Sequence, residues 1–226
     1  MLLRPLVSHV ECIEPEPSAQ AVWKTVHQSG RKSYLAHLGS LGENQLLSQH
    51  LLHVSAISAR LGAKIGLSRV GELIGLMHDL GKYSEAFQRY LQAAAEAEAM
   101  EMEPNEFVKG RVDHSTAGAQ VIWNNFTDRT RQGAELLALC VASHHSGLID
   151  CVKPDGVDDL TRRLNKADTE THRREAWDKI EPEVRGRIDA LFDDPELRLE
   201  LDVALERIRL VDKDITIQPF KRGLLL

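Results

Sequence analysis

The stretch GLMHDLGKYSEAFQRYL, Gly75 to Leu91, sets a histidine beside an aspartate, His78 and Asp79, in a segment that otherwise reads as the buried face of a helix. Val70, Leu73, Ile74 and Met77 recur at helical spacing upstream, and His78 lies four residues after Ile74. Polar side chains on an apolar stripe need partners once they are buried. The same pattern recurs on both sides of this segment.

Upstream, a helix is predicted from Glu43, with Leu46, Val54, Ile57 and Leu61 on its apolar face and Gly62 near its end. His50 is in register with that face, four residues after Leu46 and four before Val54. Ser68 is the predicted N-cap of the helix that leads to His78 and ends near Leu80. Downstream, Ser84 to Met102 is rich in helix formers and polar on most sides, and Pro104 stops it. A further helix runs from near Asp113 to Trp123, with His114 seven residues before Val121. The next, from Gln132 to His144, holds Leu136, Leu137, Cys140 and Val141 inside, which turns His144 inward as well. HHSGLIDCVKPDGVDD then reads as a loop. After Asp158 the chain is charged and helical through Trp177 and Ile180, and Pro195 and Glu196 open a last long helix striped by Leu197, Leu201, Leu205, Ile208 and Val211. β-branched alternation is scarce, ITI at 215–217 being the main exception, so the fold class is all-α. Residues 1–40, with Pro5, Pro15 and Pro17 and no sustained period, read as an irregular N-terminal segment of the same domain, which then occupies 41–226.

Bulk properties narrow the class. The chain has 226 residues, 42% hydrophobic and 27% charged, enough for a packed core. No apolar run reaches the roughly 18 residues of a membrane span, and no signal peptide is legible, so no membrane partner is expected. Cys12, Cys140 and Cys151 form no CxxC pair, which suggests neither a disulfide framework nor a zinc–thiolate site; a reducing cytoplasm is the expected compartment. A net charge of −6 argues against a protein that coats nucleic acid by bulk electrostatics.

Four helices thus each turn one histidine inward: His50, His78, His114 and His144. Any one of them alone reads as a core histidine bonded to a backbone carbonyl. Four together point to a shared metal centre, since neutral imidazole is a common ligand. Asp79 adds an anionic oxygen, and His145, at a helix end, can reach the same place. His78 and Asp79 differ by about 100° around a helix, so the pair can address two sides of a site, and one carboxylate can bridge two cations. Nitrogen and oxygen donors without thiolates favour Mn, Fe, Co, Ni or Zn over Mg or Ca. Lys82, four residues after His78, brings its ammonium near the same spot, where a cation suits a phosphate oxygen; the alternative is a solvated surface lysine.

These residues resemble the HD phosphohydrolase superfamily. YLAHLG, HDLGKYSEAFQRYL, DHSTAGA and ASHHSGL resemble more narrowly the HD nuclease domain of the type I CRISPR-associated nuclease-helicase. The resemblance spans about Tyr34 to Leu148 and, more loosely, the remainder. It implies one or two divalent transition-metal ions, Mn, Fe, Co or Ni ahead of Zn or Mg. His50, His78 and Asp79 match the ligands of one ion, while Asp79, His114, His144 and His145 match those of the other. It makes Asp79 and Lys82 the catalytic pair, the lysine contacting a phosphate. The implied activity is cutting single-stranded DNA, beside a fused or separate superfamily 2 helicase, after a guide-RNA surveillance complex has opened the target. The family also takes a late aspartate as a ligand. The chain stops at PFKRGLLL, before the matching segment is expected, and Asp212 and Asp214 substitute by position only; a truncated domain with weak or absent activity is the expectation.

Two other functions fit the sequence: a nucleotide or cyclic-dinucleotide phosphodiesterase similar to HD-GYP proteins, although HHSGLID lacks their GYP signature, and a non-catalytic module. Trp23, Trp123 and Trp177 read as packing residues, and Glu96 to Glu106 as a solvated helix face and linker. Arg162, Arg163, Lys166, Arg173 and Arg174 read as a solvated face or a DNA-backbone contact. His9, His27, His53 and His172 have no place in the motif, and His37 is a candidate to line the site.

Overall fold

The computed structural model describes residues 33–38, 44–99, 112–126, 130–145, 147–149, 151 and 153–214. The chain is all-α, as its periodicity predicts. A short antiparallel pair, β1 (Leu35–His37) and β2 (Gln45–Leu46), precedes α1 (Leu47–Ala63) and α2 (Ser68–Met77). A 3-10 turn (Leu80–Tyr83) leads into α3 (Glu85–Ala99), α4 (Ser115–Asn125) and α5 (Arg131–Ser143). Short helices α6 (Asp159–Leu164), α7 (Asp168–Thr171) and α8 (Arg173–Asp178) follow, then α9 (Pro182–Asp193) and α10 (Pro195–Asp214).

The α1–α2 hairpin corrects one expectation. The buried face of α1 is Leu47, Leu51 and Ser55, whereas Ile57 is 50% exposed and Leu61 57%. The reason is close approach. A Cβ at Gly75 would lie 2.5 Å from the Ser55 Cα, and one at Gly71 would lie 2.3 Å from the Ser58 carbonyl oxygen. Two backbones this near leave room only for small residues between them, so the large aliphatic side chains of α1 turn outward. A sequence window scores hydrophobicity and misses an interface made of serine and glycine.

A second correction concerns helix starts. Ser68 is the first helical residue of α2 and makes no side-chain cap bond. The buried Glu200 of α10 accepts from the Val70 backbone N–H at 2.9 Å instead, a carboxylate at the positive end of the helix. The Arg69–Asp194 and Arg187–Glu72 ion pairs tie the same helix to the C-terminal part of the chain. On α5 Gly133, Ala134, Leu137, Ala138, Leu139, Val141, Ala142 and Ser143 are buried, whereas Cys140 is exposed rather than inside.

Part of the stretch expected to be irregular is ordered by a distant side chain. Gln88 of α3 donates to the Leu35 carbonyl at 2.9 Å and accepts from the Leu35 N–H at 3.0 Å, which completes one edge of β1. Ser84 opens α3 as expected, its Oγ accepting from the Phe87 N–H at 3.2 Å. The predicted stripe of α10 is buried at Leu197, Leu201 and Leu205. Residues 1–32, with Cys12, Trp23, His9 and His27, lie outside the described residues, as do Pro104, the ITI run, the PFKRGLLL end and the side chains of Asp212 and Asp214. No described helix is long and apolar enough to cross a membrane.

Candidate metal centre

Helix ends build the site. His78 follows α2 directly and keeps helical angles, its N–H bonded to the Ile74 carbonyl. Asp79 then leaves the helix and precedes the 3-10 turn. His114 precedes α4, while His144 and His145 follow α5. His50 alone lies inside a helix, in the first turn of α1. The four histidines thus point to one place as expected, but three of them sit one step outside a helix end. There the side chain keeps the register while the backbone is free to turn.

The turn is packed as tightly as the hairpin. A Cβ at Gly81 would lie 2.4 Å from the His114 carbonyl oxygen, and one at Gly118 would lie 2.0 Å from the Met77 carbonyl oxygen. The Gly81 N–H donates to the His114 carbonyl at 3.2 Å. These contacts bring the end of α2 and the start of α4 together, and His78 and His114 with them. Asp113 fixes the start of α4, accepting from the Thr116 N–H at 3.1 Å, the Thr116 hydroxyl at 2.7 Å and the Lys166 ammonium at 2.5 Å.

Asp79 is at the centre, its side chain 4% exposed. Its Oδ2 lies 3.2 Å from His50 Nε2 and 3.2 Å from His78 Nε2. Its Oδ1 lies 3.4 Å from His114 Nε2, 3.3 Å from His144 Nε2 and 3.9 Å from His145 Nε2. Two candidate ligand clusters result, His50–His78–Asp79 and Asp79–His114–His144–His145, sharing the carboxylate. All six residues singled out in the sequence as ligands are brought together. Burial opposes ionisation of Asp79, yet the carboxyl is held well below the usual carboxylate range. Burial pushes His114 down to about 4 against the opposing pull of Asp79. His145 is also lowered, by burial and by its neighbour His144.

The donor set suits a cation. Backbone carbonyls only accept, so the Nδ1 atoms of His78, His114 and His144 carry protons and donate to the carbonyls of Gly75 at 2.8 Å, Val112 at 3.3 Å and Val141 at 2.7 Å. Their Nε2 atoms then present lone pairs to an anionic carboxylate. Asp79 Oδ1 and His144 Nε2 are both buried without a hydrogen-bond partner. Lone pairs facing each other repel unless a cation lies between them, so these residues fit a bound metal ion. Imidazole and carboxylate donors without sulfur suit a divalent transition metal.

Lys82 brings its ammonium to the same spot as the histidines, the first of the two sequence readings. It is no solvated surface lysine, being 4% exposed, and its ammonium turns toward Asp79 Oδ2 at 2.9 Å and the Ala36 carbonyl at 3.2 Å. His37 lies edge-on to His50, ring centroids 5.1 Å apart, and so borders the site. In the basic cluster Arg162 pairs with Asp159, Arg163 donates to the Ala142 carbonyl and Lys166 pairs with Asp113, so these three are engaged within the fold. His53 is exposed, and His172 sits with positive φ beside Glu175, away from the centre.

Sequence reasoning missed Gln45, whose Oε1 lies 3.1 Å from His50 Nδ1, and Gln88, which binds β1 and also donates to the Lys82 carbonyl at 2.8 Å. Gln88 had a signal, because it is the glutamine of the FQRYL run; Gln45 had none. The family model for the Cas3 HD domain matches residues 36–209, and no curated protein matches the chain. The match takes in both clusters, the 3-10 turn with Lys82 and the edge of β1 that accepts from it, so the chain belongs to the Cas3 HD domain family, whose activity is of the CRISPR-associated nuclease type.

Proposed function

We propose that the chain cuts single-stranded DNA by metal-dependent hydrolysis in type I CRISPR interference, with a superfamily 2 helicase and a guide-RNA surveillance complex delivering the strand. Membership of the Cas3 HD domain family supports the setting. The single observation that carries the chemistry is one buried carboxylate, Asp79, shared by two ligand clusters. His50, His78 and Asp79 would hold one ion, and Asp79, His114, His144 and His145 the other. Divalent ions there supply Lewis acidity toward phosphoryl oxygens and the activation of water for attack at phosphorus.

The residues of this chain do the rest. Asp79, held ionised, keeps a negative charge at the centre of the cleft. The outward Nδ1–H bonds fix the planes of His78, His114 and His144, so that no ring has to reorganise. His145, its side chain 56% exposed, stands at the solvent edge, where a strand can approach. Lys82 lies too deep to meet the strand first, and its charge acts through Asp79.

The test compares the protein with its Asp79→Ala variant, each supplied with manganese, on a labelled single strand, a duplex and a cyclic dinucleotide. Cleavage of the single strand that exceeds cleavage of the duplex, and that is lost in the variant together with bound metal, is the expected result. Equal cleavage by the two proteins refutes the assignment of the centre. Hydrolysis of the cyclic dinucleotide with the strand untouched assigns a phosphodiesterase instead.

A further inference from the structure

Five imidazoles turn Nε2 toward Asp79, and His50, His78, His114 and His144 among them are not anchored alike at Nδ1. His78 and His144 each donate Nδ1–H to the carbonyl three residues back, Gly75 and Val141. That is available because both lie at the C-terminal end of a helix, where the last carbonyls have no ladder partner. His114 uses the carbonyl of Val112, in the segment leading into α4. His50 has no such option. It sits in the first turn of α1, where the unpaired backbone groups are N–H donors and the carbonyls accept from the next turn. Its Nδ1 meets a side chain instead, the Oε1 of Gln45 at 3.1 Å.

The structure assigns Gln45 as a positioning residue: its amide oxygen sets the tautomer and plane of His50, and so governs metal loading at the His50–His78–Asp79 cluster separately from the four-residue cluster. This rests on the two-cluster reading of the metal centre and is independent of the substrate. A proton on Nδ1 leaves the Nε2 lone pair facing Asp79 Oδ2 and His78 Nε2, each 3.2 Å away. With the amide reversed, Gln45 would donate to Nδ1, and the proton of His50 would sit on Nε2, inside the cluster, where a cation must go. The hairpin holds the arrangement in place. Gln45 pairs with His37 across the β1–β2 ladder, and the His37 ring packs edge-on against His50 at an interplanar angle of 80°. The plane of His50 is thus bounded by one strand pair, and β1 is itself anchored by Gln88 and by the Lys82 ammonium on the Ala36 carbonyl.

The decisive measurement starts with protein loaded with diamagnetic zinc and labelled with 15N at histidine, read by two-bond proton–nitrogen correlation. His50 is expected as the Nδ1–H tautomer in the parent and in Gln45→Glu, which keeps an acceptor, and to shift toward Nε2–H in Gln45→Leu. Titration of the metal-free protein with manganese then separates the clusters. Gln45→Leu should lose about 10- to 100-fold in affinity at one class of site with the other unchanged, the usual cost of removing a ligand's supporting partner. Gln45→Glu should stay close to the parent. An Nε2–H tautomer of His50 in the unaltered protein overturns the assignment with no variant needed, so a folding defect in Gln45→Leu cannot hide the answer. Unchanged affinity in folded Gln45→Leu, or an equal loss at both classes of site, overturns it as well. DNA cleavage enters none of these readings, so a failure of the nuclease assignment is told apart from a failure of this one.

Discussion

Replacing Lys82 by methionine separates the two things this residue does. The ammonium is buried and shared between Asp79 Oδ2 at 2.9 Å and the Ala36 carbonyl at 3.2 Å. Methionine keeps the length and the apolar stem, which packs near Phe87, and removes the charge. Breaking a buried ion pair by deleting one partner costs about 3–5 kcal/mol. The low end applies here, because the histidines still surround the carboxylate, so the metal-free protein should lose about 3 kcal/mol. For a domain of this size that lowers Tm by about 6–12 °C. The effect on metal has the opposite sign. An ion held by Oδ2 would lie within about 4–5 Å of the ammonium, where like charges repel by several kcal/mol even at an effective dielectric near 20. Removing the charge should therefore tighten manganese binding at the His50–His78–Asp79 cluster by about tenfold or more. Thermal unfolding in chelator and a manganese titration read the two effects separately. Unchanged Tm in chelator would refute the buried pairing, and weaker manganese binding in the variant would refute the opposition between lysine and ion.

Two further outcomes follow from the same geometry. His114 is held near 4 against an ordinary value of 6.5, so the folded state keeps it neutral while the unfolded chain takes up a proton below about 6.5. Between those values the unfolded state binds more protons, and stability falls as pH falls. The metal-free protein should lose on the order of 3 kcal/mol from this residue between pH 6.5 and 4, and a Tm in chelator that stays flat over that window contradicts it. Gly118→Ala puts a methyl 2.0 Å from the Met77 carbonyl oxygen, backbone that has no side chain to swing aside. Because α2 and α4 must then part, stability should drop by about 3 kcal/mol, at the upper end of overpacking costs, with weaker metal binding at both clusters. A variant that melts with the parent would show that the helices do not meet at this glycine.

How much of this was legible depends on the range of the force involved. The apolar stripes of α2, α5 and α10 follow from spacing alone, because burial of one helix face is written into every third or fourth residue. The same stripes put His78 and His144 on inward faces, and residue chemistry named Asp79 as their shared partner. On α1 the rule misled, since Gly71 and Gly75 on a neighbouring helix decide which face of α1 can be approached. The irregular reading of Leu35–His37 failed for a similar reason: a three-residue strand has too little pattern to see, and Gln88, fifty-three positions away from Leu35, holds it.

What the sequence determined by itself was the helical class and the set of six candidate ligand side chains, because helix periodicity and ligand chemistry are properties of single residues and their near neighbours. What only the tertiary structure decided was how those side chains are poised. It turned Lys82 inward onto Asp79 and gave His50 a glutamine where His78, His114 and His144 have carbonyls. Each depends on which backbone atoms are left unpaired where helix ends meet, and that is settled only when residues distant in the chain come within hydrogen-bonding distance.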